Sequence, residues 1–460
     1  MIPVVNTEQM KAVDQAATEP VDVLIGRAGA AAASEAVRML GGCYGRRIVV
    51  VAGKGNNGAD GRAAAELLAR RGARVTVVEA AGASRDGSLP PADLVMDAAY
   101  GTGFRGSYVA PDPGGAQVLA VDIPSGLPGD TGVPADGQPM AADATVTFAA
   151  YKPGLLLGVG PELAGRVHVA DIGLGDRARS ISTSWLVSDD DVDLLPERAR
   201  EAHKWQSAVA VAAGSPGMMG APLLLSRGAM RAGAGYVRLG VPGASTTSLL
   251  PGEAVGLPLP AADWDGALLD AASRCQAIVM GPGLGRSGTV RAAVLRVLTS
   301  APVPVVLDAD AVTVLGSADV LRAAIAARAA PTIITPHAGE YASLFGQPPG
   351  IDRVAAVCDA ARVTSAIVLL KGSTTVIAAP DGQVLLAAAG SARLATAGTG
   401  DVLSGVIAAF LARGVPALQA AGLASHVHGR AAGLGHREGL VAGDLPDLVA
   451  QWLSQRRGPR

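Results

Sequence analysis

Short runs of apolar, often β-branched residues recur along the first half of the chain, and several carry no polar residue in their interior. A strand covered on both faces shows this continuous apolar pattern, which is typical of a parallel sheet. Residues Gly61–Arg71, between the first two runs, are rich in Ala and Leu and have the length of a helix. The order strand, helix, strand predicts an α/β domain with helices flanking its sheet. The predicted strands are Arg47–Ala52, Arg74–Glu79, Asp93–Asp97, Gln117–Asp122, Ala144–Phe148 and Arg166–Ala170.

The pattern changes at residues 185–200, where an acidic, proline-containing stretch predicts a domain junction near Asp189. A second series of apolar runs follows, and the two halves share no motif, so we expect two different α/β domains, residues 1–185 and 190–460. A turn sequence, PDG, joins the last two predicted strands into a hairpin. The predicted strands of this half are Ser207–Ala212, Gln276–Met280, Val303–Asp308, Thr332–Thr335, Ala366–Leu370, Thr374–Ala378 and Gln383–Ala387, and the predicted helices are Gly400–Arg413, Ala417–Gly433 and Asp444–Gln455.

Composition and charge narrow the range of partners. A formal net charge of -2 and an aromatic content of 3% give no basis for nucleic-acid binding, which needs a basic surface and stacking platforms. Cys43, Cys275 and Cys358 form no CxxC pair, which argues against a zinc ribbon or a disulfide framework. The first residues do not predict a secretory signal, and no apolar run is long enough to span a bilayer. We expect a cytoplasmic homo-oligomer with neither a membrane nor nucleic acid as partner.

The most informative segment is ATAGTGDVLSGVIAAFLARG, residues 395–414. Gly398 and Gly400 precede a helical stretch, and the free N–H groups at the start of a helix, together with its dipole, form an anion site. Asp401 in this position could take a proton from a substrate hydroxyl while phosphates occupy the amides. Taken alone, an aspartate here is more often only a helix cap.

Other loops with chemically active residues also follow predicted strands in this half. They are Lys371–Thr375, the sequence TPHAGE at residues 335–340, Gly281–Gly285, and the pair Asp308 and Asp310. Loops beyond the carboxyl ends of parallel strands form the ligand crevice of an open α/β sheet. A single lysine at the end of a strand is usually just solvated, but the whole set predicts a nucleotide-dependent active site.

These motifs together carry a resemblance to a known family. GTGDVLSG resembles the ribokinase-like superfamily, and its combination with LDADAV, TPHAGE, LKGSTT and AGSPGMMGAPLLLSRGAMRAGAGYV resembles the ADP/ATP-dependent NAD(P)H-hydrate dehydratases over residues 200–455. The resemblance implies a ribokinase-like three-layer fold, ADP (or ATP) as co-substrate, Mg²⁺ bound with the nucleotide, and Asp401 as the catalytic acid/base. It implies that Gly283, His337 and Asp401 face the hydrated nicotinamide substrate. The residues implied to contact the nucleotide are Lys371, Gly372, Ser373, Thr374, Thr375 and Gly400.

Three polar or glycine-rich loops follow strands of the first half as well. They are KGNNGADG at residues 54–61, Gly101–Gly103 and Asp122–Gly126. Asn56 and Asn57 tolerate left-handed backbone geometry, and Asp60 with the neighbouring glycines predicts an open helix start. A single loop of this kind would be a plain turn, whereas three on one edge of a parallel sheet favour a nucleotide site.

These loops resemble the NAD(P)H-hydrate epimerase family, which has a Rossmann-like three-layer fold, over about residues 6–173. The resemblance implies that K⁺ is held by Asn57, Asp97 and Ser125, and that Asp122, with Lys152 as a second candidate, moves protons at C6 of the substrate. The substrate is implied to be NADHX or NADPHX. The residues implied to contact it are Asn56, Asn57, Gly58, Ala59, Asp60, Gly101, Thr102, Gly103, Phe104, Arg105, Gly106, Ser107 and Asp122.

The sequence departs from the two family patterns at a few places. Ala59 stands where the epimerases usually have glycine, which predicts a hindered phosphate approach or a shifted turn. Trp205 follows His203 and Lys204 where the dehydratases usually have glycine, which predicts a differently shaped loop. The links at residues 80–92 and 104–120 are shorter than usual, with no room for an extra helix.

Fusion of the two domains resembles the bifunctional NAD(P)H-hydrate repair enzymes. That resemblance implies epimerisation of R- and S-NAD(P)HX by the first half and ADP-dependent dehydration of S-NAD(P)HX to NAD(P)H, with release of AMP and phosphate, by the second. The C6 hydroxyl is a poor leaving group that phosphorylation would activate, so a kinase-like site suits a dehydratase. The alternative is a ribokinase-like small-molecule kinase whose first half is a non-catalytic binding or oligomerisation module.

Overall fold

The computed structural model describes residues 1–81, 88–244 and 252–457. The chain divides into two compact units, Ile2–Trp185 and Leu186–Arg460. None of the described helices is both long enough and apolar enough to cross a bilayer.

The described part of the N-terminal unit is built on a twisted sheet of six parallel strands in the order β3-β2-β4-β6-β8-β9. The short strands β5 and β7 pair with each other, and β1 and β10 are likewise not part of this sheet. The elements are β1 (Ile2–Val4), α1 (Thr7–Gln15), α2 (Val21–Leu40), β2 (Arg47–Ala52), α3 (Asn56–Arg70), β3 (Arg74–Glu79), β4 (Leu94–Ala98), β5 (Tyr108–Val109), β6 (Gln117–Val121), β7 (Gly137–Gln138), β8 (Ala144–Phe148), α4 (Gly160–Ala164), β9 (Arg166–Ala170), α5 (Gly175–Ile181) and, at the junction, β10 (Ser184–Leu186).

Both faces of this sheet are covered, as the continuous apolar strands predict. Successive residues of a strand point to opposite faces, so Ile48 and Val50 of β2 enter one core cluster while Val49 and Val51 enter another. Helices α2 and α3 pack closely on the first face, where a Cβ atom at Gly29 would lie 2.6 Å from the Ala63 Cβ. The predicted parallel arrangement is confirmed.

The C-terminal unit has a larger sheet, in the order β13-β12-β11-β14-β15-β16-β17-β18-β19. Its strands are parallel from β13 to β17, and the hairpin of β18 and β19 is antiparallel, as the PDG turn predicts. The elements are β11 (Ala208–Ala212), α6 (Gly220–Arg231), β12 (Tyr236–Gly240), β13 (Val255–Leu257), α7 (Asp265–Ala272), β14 (Ala277–Met280), α8 (Gly288–Ser300), β15 (Val305–Leu307), α9 (Asp310–Thr313), α10 (Ala318–Ile325), β16 (Thr332–Ile334), α11 (Ala338–Phe345), α12 (Arg353–Thr364), β17 (Ile367–Leu370), β18 (Thr375–Ala378), β19 (Val384–Ala387), α13 (Thr399–Ala412), α14 (Ala417–Leu434) and α15 (Leu445–Arg457).

Helix α13 is the central helix of this unit and is buried on every side after its first turn. Two glycines allow it to cross α6 at short range. A Cβ atom at Gly405 would overlap the Leu225 carbonyl oxygen, and one at Gly228 would lie 2.6 Å from the Val402 carbonyl oxygen. Because the parallel strands all end at the same edge, this crossing fixes the start of α13 beside the loops that follow β14, β15, β16 and β17.

Candidate functional site

A cavity of about 1200 Å³ opens at the carboxyl ends of the strands in the N-terminal unit. The loops after β2, β4 and β6 contribute to its walls, together with helices α1 and α2. Predicted site residues that line it are Asn56, Asn57, Asp60, Gly101, Thr102, Gly103, Phe104, Arg105 and Asp122. Predicted site residues outside its lining are Gly58, Ala59, Asp97, Gly106, Ser107 and Ser125.

The start of α3 differs from the prediction. The helix begins at Asn56 rather than Gly61, so Asn56 and Asn57 are helical and not left-handed. Gly58 is required by packing, since a Cβ atom there would overlap the Gly53 carbonyl oxygen. Ala59 donates its N–H to the Gly55 carbonyl in an ordinary first helical turn, where alanine needs no special geometry. The link at residues 80–92 lies partly outside the described residues.

Asp122 is held in place by its backbone conformation and by the partners of its carboxylate. Its φ of +67° is a left-handed conformation that a non-glycine residue adopts only when its surroundings enforce it. One carboxylate oxygen accepts hydrogen bonds from the Thr102 N–H and hydroxyl, at 2.9 and 2.6 Å. The other lies 2.8 Å from the Lys152 Nζ. Burial opposes ionisation, but Lys152 and Thr102 outweigh it and lower the pKa of Asp122.

In two further carboxyl groups of this cavity the pKa is raised instead of lowered. Burial, with repulsion from Asp122 and Asp14, raises the pKa of Asp60 to about 8. Burial also raises the pKa of Asp14, which lies on α1. Asp14 was missed from the sequence, although the capping box formed by Asn6 and Gln9 is a helix-start signal just upstream of it.

The predicted K⁺ ligands are buried oxygen donors. Asp97 is 1% exposed and accepts hydrogen bonds from the Ser125 hydroxyl and N–H, at 2.6 and 2.8 Å. The amide oxygen and nitrogen of Asn57 are buried and have no hydrogen-bond partner among the described residues. A buried unpartnered amide is costly unless a ligand satisfies it, and oxygen donors suit a hard cation.

In the C-terminal unit the candidate site surrounds the start of α13. Gly398 adopts a left-handed φ of +92°, and a Cβ atom there would lie 2.5 Å from the Leu224 Cδ1. The helix starts at Thr399, so the N–H groups of its first turn lack intrahelical partners. Asp401 is in this turn. Its pKa is raised to about 7 by burial and by the charges of Asp308 and Glu340, with Lys371 acting in the opposite direction.

Asp308 organises the polar groups next to Asp401. It is 1% exposed and accepts hydrogen bonds from the Thr335 hydroxyl and the Ser404 hydroxyl, each at 2.8 Å. Its carboxylate also lies 2.9 Å from the Lys371 Nζ, and Glu340 lies 3.7 Å from the same ammonium. Burial opposes the charged form, but these two carboxylates raise the pKa of Lys371 and keep it cationic.

Gly400 brings the helix start to this network. A Cβ atom at Gly400 would lie 3.5 Å from the Lys371 Nζ and 3.9 Å from an Asp308 carboxylate oxygen. The structure therefore places three predicted site residues, Gly400, Lys371 and Asp401, around one point. Asp308 belongs to the set of residues after strands that predicted this site, whereas Ser404 was not predicted, because a buried serine inside an apolar helix gives no sequence signal.

The other predicted residues occupy the surrounding loops. His337 is exposed and caps α11, with its Nδ1 accepting the N–H groups of Gly339 and Glu340 at 2.9 and 3.3 Å. Gly283 has a φ of +71° and packs against Gly214. Gly372 and Ser373 are exposed between β17 and β18, Thr374 is buried, and Thr375 begins β18.

The loop with Trp205 is filled by aromatic and cationic side chains. The centre of the Trp205 ring lies 4.4 Å from the centre of the Tyr236 ring, and the Arg274 guanidinium lies 3.9 Å from the centre of the Trp205 ring. The Lys204 ammonium makes a cation–π contact with Tyr236, 4.8 Å from the centre of its ring. The indole therefore has a packing role in this chain.

Comparisons with known proteins agree with this architecture. The family model described as NAD(P)H-hydrate dehydratase matches residues 209–454, and the one described as YjeF-related protein N-terminus matches residues 21–87 and 79–154. The Salinibacter ruber protein named bifunctional NAD(P)H-hydrate repair enzyme Nnr is 35% identical, over 99% of this chain and 97% of that protein. The protein of the same name from Mycobacterium leprae is 36% identical, over 96% and 95%.

Solved structures match the C-terminal unit. The ADP/ATP-dependent NAD(P)H-hydrate dehydratase from Bacillus subtilis, co-crystallised with ATP and Mg²⁺, is 31% identical with a TM-score of 0.51, over 58% of this chain and 97% of that chain. A ribokinase-like superfamily protein from Enterococcus faecalis, 20% identical with a TM-score of 0.53 over 60% of this chain and 96% of that one, has the same fold. The predicted ribokinase-like fold is confirmed. With both family models matched and relatives aligned along nearly their whole length, this chain belongs to the family of bifunctional NAD(P)H-hydrate repair enzymes.

Proposed function

We propose that the C-terminal unit dehydrates S-NADHX and S-NADPHX to NADH and NADPH, with ADP (or ATP) as phosphoryl donor. The observation that carries this proposal is the position of the Asp401 carboxyl group in the first turn of α13, whose start no side chain caps, next to Lys371 and Asp308. Burial and the charges of Asp308 and Glu340 raise its pKa there to about 7. A base with this pKa is half ionised near neutral pH and matched to removing a proton from an alcohol.

The chemistry divides between the side chain and the helix start. Asp401 accepts the proton of the C6 hydroxyl as the hydroxyl oxygen attacks the terminal phosphorus of the nucleotide. The N–H groups at Gly398–Gly400 and the Lys371 ammonium stabilise the charge on the transferred phosphoryl group. The C6–O bond then breaks, phosphate leaves with the electron pair, and loss of a proton from C5 restores the C5–C6 double bond. With ADP, the other product is AMP.

Lys371 is positioned for the nucleotide by its own ion pairs. Asp308 and Glu340 hold the ammonium beside Gly400 and keep it charged. The predicted contacts with Gly372, Ser373, Thr374 and Thr375 extend the same loop. Mg²⁺, bound together with the nucleotide, would neutralise phosphate charge beside Lys371 and the start of α13. Among the described residues, no group of three His, Cys, Asp or Glu side chains could hold a metal ion.

For the N-terminal unit we propose epimerisation of R- and S-NAD(P)HX in the cavity that Asp122 lines. The ionised state of Asp122, fixed by Lys152 and Thr102, suits a base that acts at the C6 hydroxyl. Asn57, Asp97 and Ser125 would hold K⁺, which supplies positive charge near an anionic substrate. Homo-oligomer formation and a cytoplasmic location stay predictions from the sequence.

The dehydratase proposal is tested by supplying purified R or S epimer with ADP, and separately with ATP, and following absorbance at 340 nm. We expect immediate recovery from the S epimer with at least one nucleotide. A stable phosphorylated product without absorbance recovery would establish a kinase instead.

The epimerase proposal is tested with the R epimer alone, without nucleotide, in potassium buffer. We expect the wild type to equilibrate the two epimers, resolved by chromatography. Asp122→Ala should lose this activity and keep dehydration of the S epimer, because that chemistry belongs to Asp401. Equal loss of both activities in Asp122→Ala would contradict two separate active sites.

A further inference from the structure

Three aspartates line the cavity of the N-terminal unit, and one of them pairs with a buried ammonium. Asp14 comes from α1, Asp60 from α3, and Asp122 from the loop after β6. Lys152 is 0% exposed, and its Nζ forms an ion pair with Asp122 at 2.8 Å. The same Nζ donates hydrogen bonds to the Thr147 hydroxyl and to the Phe148 carbonyl, at 2.7 and 2.9 Å. Lys152 is paired with Asp122, and its charge only partly offsets the burial that raises the pKa of Asp14. No cation of the described residues offsets the raised pKa of Asp60.

Asp60 and Asp122 therefore have different environments although they share a cavity. Asp122 has an ammonium, a hydroxyl and an N–H bound to its oxygens. Asp60 is 8% exposed, and no hydrogen-bond donor in the described part of the chain stabilises its charged form. Burial and the charges of Asp122 and Asp14 raise its pKa to about 8, so it is protonated at neutral pH.

A second feature shows that the cavity is built to bind a polar ligand beside these groups. Asn57, one helical turn before Asp60, is 9% exposed and carries an unpartnered amide. A Cβ atom at Gly101 would lie 3.4 Å from the Asn57 side chain and 3.1 Å from an Asp122 carboxylate oxygen. Asn57 and Asp122 therefore approach Gly101 from two sides, and α3 presents Asp60 on the same face as Asn57.

We propose that Asp60 is the general acid of the epimerisation, that Asp122 is its base, and that Asp14 is a positioning residue whose charge adds to burial and to the charge of Asp122 in keeping Asp60 protonated. This inference rests on the epimerase function proposed above and assigns its proton transfers. Two carboxyl groups held in opposite protonation states are the arrangement that acid and base catalysis requires.

The proposed step is a ring opening that balances without any added reactant. Asp122 removes the proton of the C6 hydroxyl, the oxygen electron pair forms a C=O bond, and the C6–N1 bond breaks. Its electron pair goes to N1, which takes the proton of Asp60. Rotation about C5–C6 exposes the other face of the aldehyde. Ring closure then reverses each transfer, so both carboxyl groups return to their starting states and the same assignments serve both directions.

Other charged or ionisable groups share the cavity wall with Asp60 and set the background of its titration. They are Lys11, Glu19, Lys54, Glu79, Tyr100 and Arg105.

The test uses the full-length protein and measures the rate of R-to-S conversion without nucleotide from pH 6 to pH 9.5. For the wild type, kcat should fall about tenfold per pH unit above pH 8, because Asp60 loses the proton that it must donate. Asp60→Asn should lower kcat by about a hundredfold or more and remove this alkaline limb. The matched control is Glu66→Gln, an exposed carboxylate on the same helix, which should follow the wild-type profile.

Asp14→Asn gives the second readout, which a purely structural role would not produce. Removing a like charge should move the alkaline limb to lower pH while the plateau kcat changes little. Asp60→Asn within twofold of the wild type, or an unmoved limb in Asp14→Asn, would overturn the assignment. A wild type that shows no epimerisation at any pH would instead overturn the proposed function of this unit. Thermal unfolding of each variant separates loss of activity from loss of fold.

Discussion

Replacing Asp401 by asparagine tests the dehydratase site most directly, because the active-site role and the helix-cap role predict opposite outcomes. As a general base, Asp401 should contribute about 10²–10⁴ in rate, or roughly 3–5 kcal/mol of barrier. Its own titration adds a pH signature in the wild type. With a pKa of about 7, the ionised fraction rises about tenfold from pH 6 to pH 8, and nucleotide-dependent turnover should rise with it.

The same substitution should stabilise the C-terminal unit at alkaline pH. The pKa of Asp401 is raised in the folded protein from its ordinary value of 3.8 to about 7. Because this pKa is raised in the folded state, the contribution of the protonated Asp401 side chain to the free energy of unfolding is complete below about pH 4. It is lost as the pH rises through about 7. Above that pH, the buried charge costs at most about 4 kcal/mol, which a neutral asparagine removes.

The assay follows absorbance at 340 nm with the S epimer and ADP from pH 6 to pH 8.5, alongside thermal unfolding at pH 8. We expect Asp401→Asn to be nearly inactive, to bind nucleotide normally, and to melt at a higher temperature than the wild type. Asp319→Asn, in the first turn of α10, is the matched control for a helix-dipole carboxylate and should only lose about 0.3–1 kcal/mol of stability. An Asp401→Asn protein with near wild-type rate and a lowered melting temperature would refute the base assignment.

Two further predictions concern buried contacts. Asp308→Ala removes the partner that holds Lys371, so we expect a loss of about 3–5 kcal/mol in thermal unfolding together with weaker nucleotide binding by calorimetry; unchanged binding would contradict the positioning of that lysine. Gly58→Ala forces a Cβ atom onto the Gly53 carbonyl oxygen and should destabilise the N-terminal unit by about 1–3 kcal/mol, whereas Gly55→Ala, which meets no atom within 4 Å, should unfold like the wild type.

The sequence by itself determined most strands of the parallel sheets and the loops of the two candidate sites, while β12 and β13 were not predicted. Continuous apolar runs specify strands buried on both faces, and the observed strands match the predicted ones to within one or two residues at most ends. Glycine before a helix start specifies an open set of amides, which is why residues 395–414 predicted an anion site at a helix start, and the structure shows a helix, α13, beginning at Thr399 in this segment. The motifs also identified the family. These features are local, so neighbouring residues are enough to specify them.

The positions at which helices begin were less predictable from the sequence. The polar sequence NNGADG suggested a loop, yet α3 begins at Asn56 because Gly58 and Gly61 allow its first turns to pack directly on the strand ends. His337 looked like a substrate contact, and the structure also gives it the cap of α11. The packing of α3 on the strand ends depends on tertiary contacts that the local pattern does not contain, whereas His337 caps α11 through the neighbouring N–H groups of Gly339 and Glu340.

Only the tertiary structure decided which groups share a charge environment. Lys371 and Asp308 are 63 residues apart, and Ser404 reaches the same carboxylate from 96 residues away. Asp14, Asp60 and Asp122 likewise come from three separate segments. Because the pKa of a carboxyl group depends on its burial and on the charges around it, the sequence could name Asp60, Asp122 and Asp401, but the fold alone determines which of them is ionised at neutral pH.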